Sequence, residues 1–225
     1  VSTLGFIYGY ECDGIYQNSD FITTPGGECI LKDGITNNAR YSTVKPGMVK
    51  YKDQDGDGII TTNDRTVIGN AIPKFYGGFT NTFRYKGIDL SIMFQYSYGN
   101  DVYNATRLYA TQSRSGRLNM MSEVADRWSP TNASNKVPAF NGYITNDVYS
   151  RFVEDGSFLR LKNVTLGYSL PLAWIQKAYI SRLRIYASGQ NLFCLTGYSG
   201  YDPEVSMAAN NPMTPGLDWG AYPKS

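Results

Sequence analysis

The chain has 225 residues, which fit one domain of ordinary size with a core of its own. Charged residues make up 18% of the chain, below the roughly 25% typical of soluble domains, whereas 19 Tyr, 10 Phe and 3 Trp raise the aromatic share to 14%. The formal charge of +2 does not predict a nucleic-acid partner, and the absence of His excludes Ser/His/Asp and Cys/His triads as well as the common zinc sites.

Cysteine usage and hydropathy narrow the class of protein further. Cys12, Cys29 and Cys194 form an odd set without the CxxC spacing of metal ribbons. Cys12 and Cys29 are either bridged, which needs an oxidising compartment, or free and packed. No apolar stretch reaches the roughly 18 residues of a membrane helix. Transmembrane β-structure stays compatible with the sequence, because its strands are short and alternate in polarity.

In chain order, the first segment with recognisable chemistry is DQDGDGIITTND at residues 53–64. Asp53, Asp55 and Asp57 alternate and a glycine is sixth, as in twelve-residue calcium loops. The last position is Asp64, whose side chain is shorter than the Glu of an EF-hand and reaches less easily for bidentate binding. The alternative to a metal site is a solvated acidic turn. The spacing predicts calcium with the ligands Asp53, Asp55, Asp57, Ile59 (through its carbonyl), Thr61 and Asp64.

The next predicted elements form a hairpin. Residues 76–86 (YGGFTNTFRYK) place Phe79 and Phe83 on one face, and residues 88–98 (IDLSIMFQYSY) alternate between apolar and polar side chains over their whole length. A soluble strand is about 5 to 6 residues long, whereas a strand that crosses a bilayer needs about 9 to 11. Lys86 and the following glycine predict a tight reversal between the two strands.

Two further strands are predicted downstream, at residues 158–170 and 182–193. Each has a one-sided apolar stripe, and the less regular start of the first indicates a bulge. The connector at 171–181 begins with a proline and has apolar residues at helix-like spacing, which predicts a short helix. Its Trp174 suits a membrane interface. The helix-like spacing at 120–128 predicts a folded segment within a long connection.

The connections differ in length in a regular way. The reversal at 86–87 and the connector at 171–181 are compact, whereas 12–75, 99–157 and 194–225 are long and rich in Gly, Asn, Ser, Thr and Pro. If the strands are antiparallel neighbours, the short turns lie at one end of the sheet and the long loops at the other. That asymmetry is typical of outer-membrane barrels, and the soluble alternative is a β-sandwich with uneven loops.

Other candidate groups are weaker. Glu154 and Asp155 are adjacent, so in a strand they would point to opposite faces, and a loop turn explains them better than a pair of catalytic carboxylates. Tyr198, Tyr201 and Trp219 could stack on sugar rings or belong to an interfacial aromatic girdle, and the sequence leaves both readings open.

Three ordered blocks carry a resemblance to a known family. One lies within residues 46–104 (PGMVKYKDQDGDGIITTNDRTVIGNAIPKFYGGFTNTFRYKGIDLSIMFQYSYGNDVYN), and two lie within 150–205 (SRFVEDGSFLRLKNVTLGYSLP and LRIYASGQNLFCLTGYSGYDPEV). Through these blocks, which cover about half of the chain, the sequence resembles the C-terminal part of the SusC/RagA family of TonB-linked outer-membrane transporters. Residues 4–16 are similar to the family's segment that leads into this region.

The resemblance implies a place in a barrel of about 22 strands with an N-terminal plug, a segment that contacts TonB and a SusD-like lipoprotein that covers the extracellular mouth. We expect the plug and the terminal strand to be absent from residues 1–225. The chain would then be an incomplete section of barrel wall, with a fifth strand at 4–10. Its open edges would pair with the remainder of the barrel, because open edges are not tolerated in lipid.

The sequence thus predicts an all-β fold, an antiparallel transmembrane β-barrel wall with long extracellular loops, in the cell outer membrane. The predicted function is import of glycans or peptides with a SusD-like lipoprotein and the TonB complex, without catalysis. The alternative is a secreted, calcium-stabilised β-sandwich that binds carbohydrate. In the barrel, the apolar stripes face lipid and the following side chains face the lumen: Arg84, Gln95, Ser97, Asn163, Ser188 and Gln190.

Overall fold

The computed structural model describes residues 4–112, 119–140, 142–143, 146–205 and 215–220, and these divide into two units. The described part of the sheet unit is 72–101 and 155–204. The remaining described residues form the loop unit. The strands are β1 Phe6–Tyr10, β2 Cys12–Ile15, β3 Phe21–Thr23, β4 Cys29–Leu31, β5 Asn37–Asn38, β6 Val49–Tyr51, β7 Ile59–Ile60, β8 Arg65–Asn70, β9 Phe75–Tyr85, β10 Ile88–Tyr98, β11 Asp101–Asn104, β12 Val153–Asp155, β13 Phe158–Ser169, β14 Arg184–Thr196 and β15 Leu217–Asp218.

Helical structure is short throughout the described ranges. No helix among these residues is both long and apolar enough to cross a membrane. The two α-helices are α1 Ala105–Thr111 and α2 Leu172–Ile175, and the 3-10 turns are Asn18–Asp20, Thr62–Asp64, Ser122–Asp126, Ser150–Phe152 and Gln176–Ala178. The predicted helical connector is therefore α2 with the 3-10 turn that follows it, and the predicted folded segment at 120–128 is a 3-10 turn.

The sheet unit contains one antiparallel sheet with the strand order β14-β13-β10-β9. The reversal between β9 and β10 consists of Lys86 and Gly87 alone, with φ angles of 44° and 86°. Positive φ at both central positions is the geometry of a type I′ turn, which matches the twist of the flanking strands. The predicted bulge lies at Lys162, where the pairing register of β13 shifts against both neighbours. The predicted hairpin and second strand pair are thus confirmed.

The sheet has two chemically different faces, because its registers align the alternating patterns of the four strands. On the apolar face, Phe79 of β9 stacks on Phe94 of β10 with ring centroids 5.0 Å apart. The outer strands leave large apolar side chains uncovered: Phe83 is 59% exposed and Ile185 is 62% exposed. The apolar face comprises Phe75, Phe79, Phe83, Tyr85, Ile88, Leu90, Ile92, Phe94, Tyr96, Tyr98, Leu159, Leu161, Val164, Leu166, Tyr168, Ile185, Ala187, Phe193 and Leu195.

The loop unit has an aromatic core of its own, which the sequence patterns did not predict. Tyr10 stacks on Tyr51 with ring centroids 4.8 Å apart, and Tyr149 packs edge to face on Phe152 at 5.3 Å. All four side chains are fully buried. Strand β1, the predicted fifth strand, pairs antiparallel with β8, which no pattern had indicated. The described parts of the long connections at 12–75 and 99–157 therefore pack around tyrosines.

The cysteines decide between the bridged and the free state that the sequence left open. Cys12, Cys29 and Cys194 are all free, so Cys12 and Cys29 do not form the bridge that their positions had suggested. Cys29 is exposed at the start of β4, while Cys12 is half-buried in β2. Burial raises the pKa of the Cys12 thiol, which disfavours the reactive thiolate.

Candidate functional site

The aspartate-rich loop, residues 53–64, lies in the loop unit between β6 and β8 and contains β7. The amide of Asn37 donates to the carbonyl of Gly58 at 2.9 Å, and β5 pairs in parallel with β7. Ile60 is fully buried in the aromatic core and packs the loop against it. The loop is therefore anchored at its C-terminal half and exposed at its N-terminal half.

Three carboxylates converge at the exposed half of the loop. Ligand oxygens of Asp53, Asp55 and Asp57 all lie within 4.8 Å of one another. Asp53 accepts hydrogen bonds from the amides of Gly56 and Gly58, both at 2.7 Å. These two glycines have φ angles of 79° and 82°, the left-handed region that glycine adopts most readily. The sequence spacing thus folds into the turn that brings the carboxylates together.

Asp64 has a different environment from the other aspartates. It is fully buried, and its two carboxylate oxygens accept hydrogen bonds from the amides of Gln54 at 2.8 Å and Thr61 at 2.7 Å. Thr61 in turn accepts from the amide of Asn63 and caps the 3-10 turn. Asp64 therefore ties the two ends of the loop together and is not part of the converging group. Ile59 is partly exposed at the outer end of β7.

The pKa values of Asp53 and Asp55 shift in opposite directions because their surroundings differ. The amides of Gly58 and Gly56 hold the pKa of Asp53 below its usual range. For Asp55, the amide of Asp57 favours the charged form, but desolvation and the negative charges of Asp57, Asp64 and Asp53 together outweigh it and raise the pKa. A bound cation would relieve this repulsion. Carboxylate oxygens that converge and repel are the donor set that a hard cation such as calcium prefers, so the residues present fit such an ion.

The polar face of the sheet carries the second notable arrangement. The six predicted lumen residues, Arg84, Gln95, Ser97, Asn163, Ser188 and Gln190, all lie on this face.

A buried ion pair on the same face was not predicted. The guanidinium of Arg160 lies 2.6 Å from Asp202 and 3.5 Å from Glu204, and both Arg160 and Asp202 side chains are only 5% exposed. Gln95 also donates to Glu204 at 2.9 Å. The segment after β14 is therefore attached to the polar face.

The weaker candidates have structural partners. Glu154 accepts hydrogen bonds from Arg107 at 3.1 Å and Asn104 at 3.2 Å, and Asp155 accepts from the amide of Ser157 at 2.8 Å. Glu154 is therefore in an ion pair, and Asp155, the last residue of β12, caps the turn that follows the strand.

The three aromatic candidates occupy different environments. Tyr198 is buried, Tyr201 is 80% exposed, and Trp219 packs on Tyr109 with ring centroids 4.9 Å apart. The three rings are therefore not equivalent, and the buried Tyr198 is the least accessible to a sugar.

Comparisons with known proteins identify the family. TonB-dependent receptor P3 of Formosa agariphila is 38% identical to the chain over 224 residues, which is 98% of this chain and 21% of the relative. The chain belongs to the family of TonB-dependent receptors. TonB-dependent receptor SusC of Bacteroides thetaiotaomicron is 32% identical over 184 residues, 80% of this chain and 17% of SusC. The chain spans about a fifth of the length of the curated relatives that it matches. No family model matches the chain.

Solved structures of the same type confirm the fold of this TonB-dependent receptor chain. The RagAB peptide transporter superposes with a TM-score of 0.67 at 23% identity, over 97% of this chain and 21% of that one. The RagAB peptide importer in the open-open state gives 0.64 at 22% identity, over 95% and 20%. The all-β fold class, an antiparallel section of a barrel wall, is therefore confirmed.

Proposed function

We propose that the chain forms part of the wall and extracellular loops of an outer-membrane TonB-dependent importer of glycans or peptides. The observation that carries this function is the two-faced sheet. Its strands are 11, 11, 12 and 13 residues long, against about 9 to 11 needed to cross a bilayer. Its apolar face remains exposed across all four strands, which suits contact with acyl chains.

The polar face would then line the lumen through which the cargo passes. Gln190 offers hydrogen-bonding groups there. Gln95 and Ser97 donate to Glu204 and Asn100, and Arg160 with its carboxylate partners attaches the segment that follows β14. Such a lumen acts by binding and gated passage, so we assign no bond-breaking step and no catalytic residue. Peptide cargo is supported by the structural neighbours, which are peptide importers.

The partners follow from the family. We propose a SusD-like surface lipoprotein at the extracellular mouth and the TonB complex at the periplasmic side, contacted through parts of the receptor outside residues 1–225. This proposal is supported by the likeness to SusC and to the two-component RagAB importer. The rest of the barrel would pair with the open edges of β9 and β14.

The aspartate-rich loop would hold calcium on the extracellular side. Asp53, Asp55 and Asp57 would supply carboxylate oxygens, and Asp64 would hold the ends of the loop together. The carbonyl of Ile59 and the hydroxyl of Thr61 would complete the oxygen set. A calcium ion would neutralise the converging carboxylates and fix the loop against the core of the loop unit.

Lipid-phase labelling tests the membrane assignment. Cysteine at Ile92 or Phe94, in the full-length receptor, should react with a probe dissolved in the acyl region, whereas cysteine at Ser91 should not. The rival function is the secreted β-sandwich that binds carbohydrate, in which the apolar face is covered by protein. Protection of Ile92 and Phe94 from the probe would favour that rival.

Calcium binding has a separate test. Asp55→Asn with Asp57→Asn should abolish tight binding of one calcium ion, measured by isothermal titration calorimetry on the purified receptor. Asp33→Asn, a change at an exposed aspartate in the same unit, is the matched control. Equal calcium content and equal sensitivity to chelator in the double variant and the wild type would show that the loop is only an acidic turn.

A further inference from the structure

The short-turn end of the sheet is unusually basic. Strands β9, β10, β13 and β14 and their two short connections contain a single acidic residue, Asp89. The same end carries five cationic residues: Arg84, Lys86, Lys177, Arg182 and Arg184. The acidic residues Asp101, Asp155, Asp202 and Glu204 of the sheet unit all belong to its opposite end. The unit therefore has a charge asymmetry along its strands.

The one acidic residue is already neutralised. Arg184 donates to Asp89 from two nitrogens, with Nε at 3.0 Å, and Arg84 lies directly across from Asp89 in the β9–β10 register. Lys86, Lys177 and Arg182 are exposed and have no acidic partner in any ion pair found among the described residues. Three cations at this end are thus available to a partner with negative charge.

The two short connections adjoin each other. The amide of Ser169 donates to the carbonyl of Gly87 at 2.8 Å, and the amide of Leu170 donates to Leu183 at 3.0 Å. Lys86 and Arg182 consequently line the same cavity, of about 530 Å³, at the end of the sheet.

Large apolar side chains are exposed beside these cations. Trp174 is 68% exposed, Leu172 is 57% exposed and Tyr179 is fully exposed, although α2 buries Ile175. A segment with exposed aromatic and aliphatic groups next to lysine and arginine has the composition of an element that lies in a membrane interface. Indole and phenol rings favour the headgroup level, where one side is apolar and the other is wet.

We propose that this end of the sheet binds the phosphate of phospholipid headgroups, with Lys86, Lys177 and Arg182 as the cations and Trp174 and Tyr179 as interfacial anchors. The inference rests on the proposed function, which puts the long loops on the extracellular side and therefore the short turns at the opposite, periplasmic leaflet. It goes further in naming the headgroup chemistry and the residues. Three cations without an ion-pair partner among the described residues complement the negative charge of a phosphate, and the exposed rings beside them favour a lipid headgroup as its source.

The amount of lipid that the purified receptor retains tests the proposal. Full-length receptor in nanodiscs of phosphatidylcholine with added phosphatidylglycerol would be extracted and its bound lipids counted by native mass spectrometry. The variant Lys86→Gln/Lys177→Gln/Arg182→Gln should bind phosphatidylglycerol about fivefold more weakly for each cation removed. The control Lys32→Gln/Lys45→Gln/Lys136→Gln removes three exposed cations of the loop unit and should retain it as the wild type does. Equal retention by both variants would overturn the proposal.

Two further arms make the result specific. Inorganic phosphate, at an ionic strength matched with chloride, should not displace the lipid; displacement would indicate a free-anion site and overturn the lipid assignment. Lipids brominated close to the headgroup should quench a fluorescence component that Trp174→Phe removes and Trp219→Phe leaves. Quenching that survives Trp174→Phe would contradict the interfacial position of α2.

The proposed function is checked in the same samples. If cysteine at Ile92 reacts with the lipid-phase probe while the triple variant retains its phosphatidylglycerol, the headgroup site is wrong and the barrel wall stands. If Ile92 is protected, the membrane assignment itself fails, and the headgroup site fails with it.

Discussion

At the scale of single residues, Gly167 leaves room for an ion pair that reaches across a whole strand. Arg184 of β14 reaches Asp89 of β10 by passing over β13 at Gly167. A Cβ at this position would lie 2.7 Å from Cζ of Arg184. We expect Gly167→Ala to lower the free energy of unfolding slightly, because the guanidinium has to leave Asp89 and the pair is exposed to solvent.

Urea unfolding of the purified receptor in detergent measures this change. Gly197→Ala is the control, since no atom lies within 4 Å of its added Cβ and the residue follows the end of β14. In an Arg184→Met background, Gly167→Ala should cost less, because the clash is with the guanidinium. An undiminished cost in that background would show that the backbone of β13 is the cause.

Tyr51 gives a second prediction for a single residue. Burial raises its pKa strongly, and no hydrogen-bond partner for its buried hydroxyl was found among the described residues. Because a buried hydroxyl without a partner costs free energy, Tyr51→Phe should leave stability unchanged or raise it by about 1 kcal/mol. Tyr51→Ala should cost roughly 3 to 5 kcal/mol, since the stack on Tyr10 is lost. Thermal unfolding distinguishes the two, and a destabilised Tyr51→Phe would reveal a partner for the hydroxyl.

At the scale of elements, the segment that follows β14 depends on one buried ion pair. Asp202→Asn keeps the shape of the side chain but leaves the buried Arg160 without its nearest counter-charge. We expect the free energy of unfolding to fall by up to about 3 kcal/mol, because the buried guanidinium then keeps only the more distant Glu204 as a counter-charge. Asp155→Asn is the matched control: its carboxylate also accepts from an amide two residues on, but the side chain is exposed. If both changes lower the free energy of unfolding equally in urea, the ion pair does not contribute to stability.

Regular elements with a short period were predictable from the sequence. The alternation in β10 and the glycine after Lys86 are local signals, and they correctly indicated the hairpin and its turn. The bond between Arg160 and Asp202 joins residues 42 positions apart, and neither residue type indicates the other. The calcium-type spacing predicted the convergence of Asp53, Asp55 and Asp57, whereas the inward position of Asp64 depends on amides that only the folded loop brings together.

The core of the loop unit could not be predicted either, because it also depends on long-range contacts. Its tyrosines, including Tyr10, Tyr51 and Tyr149, are widely spaced in segments rich in Gly, Asn and Ser and share no period. Tyr10 and Tyr51 stack because β2 and β6 pair next to them, which is a long-range contact. A composition with many tyrosines in long connections therefore indicates a folded unit, although it does not identify the partners of each ring.

At the scale of the whole molecule, the proposed function requires that the apolar face of the sheet contacts lipid. Two adjacent residues of β10 can test this orientation. Ile92 lies on the apolar face near the middle of the strand, and Ser91 lies on the polar face. An arginine that faces lipid near the bilayer midplane costs about 2 to 4 kcal/mol, whereas one that faces a lumen is tolerated. Ile92→Arg should therefore reduce the fraction of full-length receptor that is folded in the outer membrane, as measured by heat modifiability on gels. Ser91→Arg should leave that fraction close to the wild-type level, and a reversed order of the two effects would mean that the polar face is the one in contact with lipid.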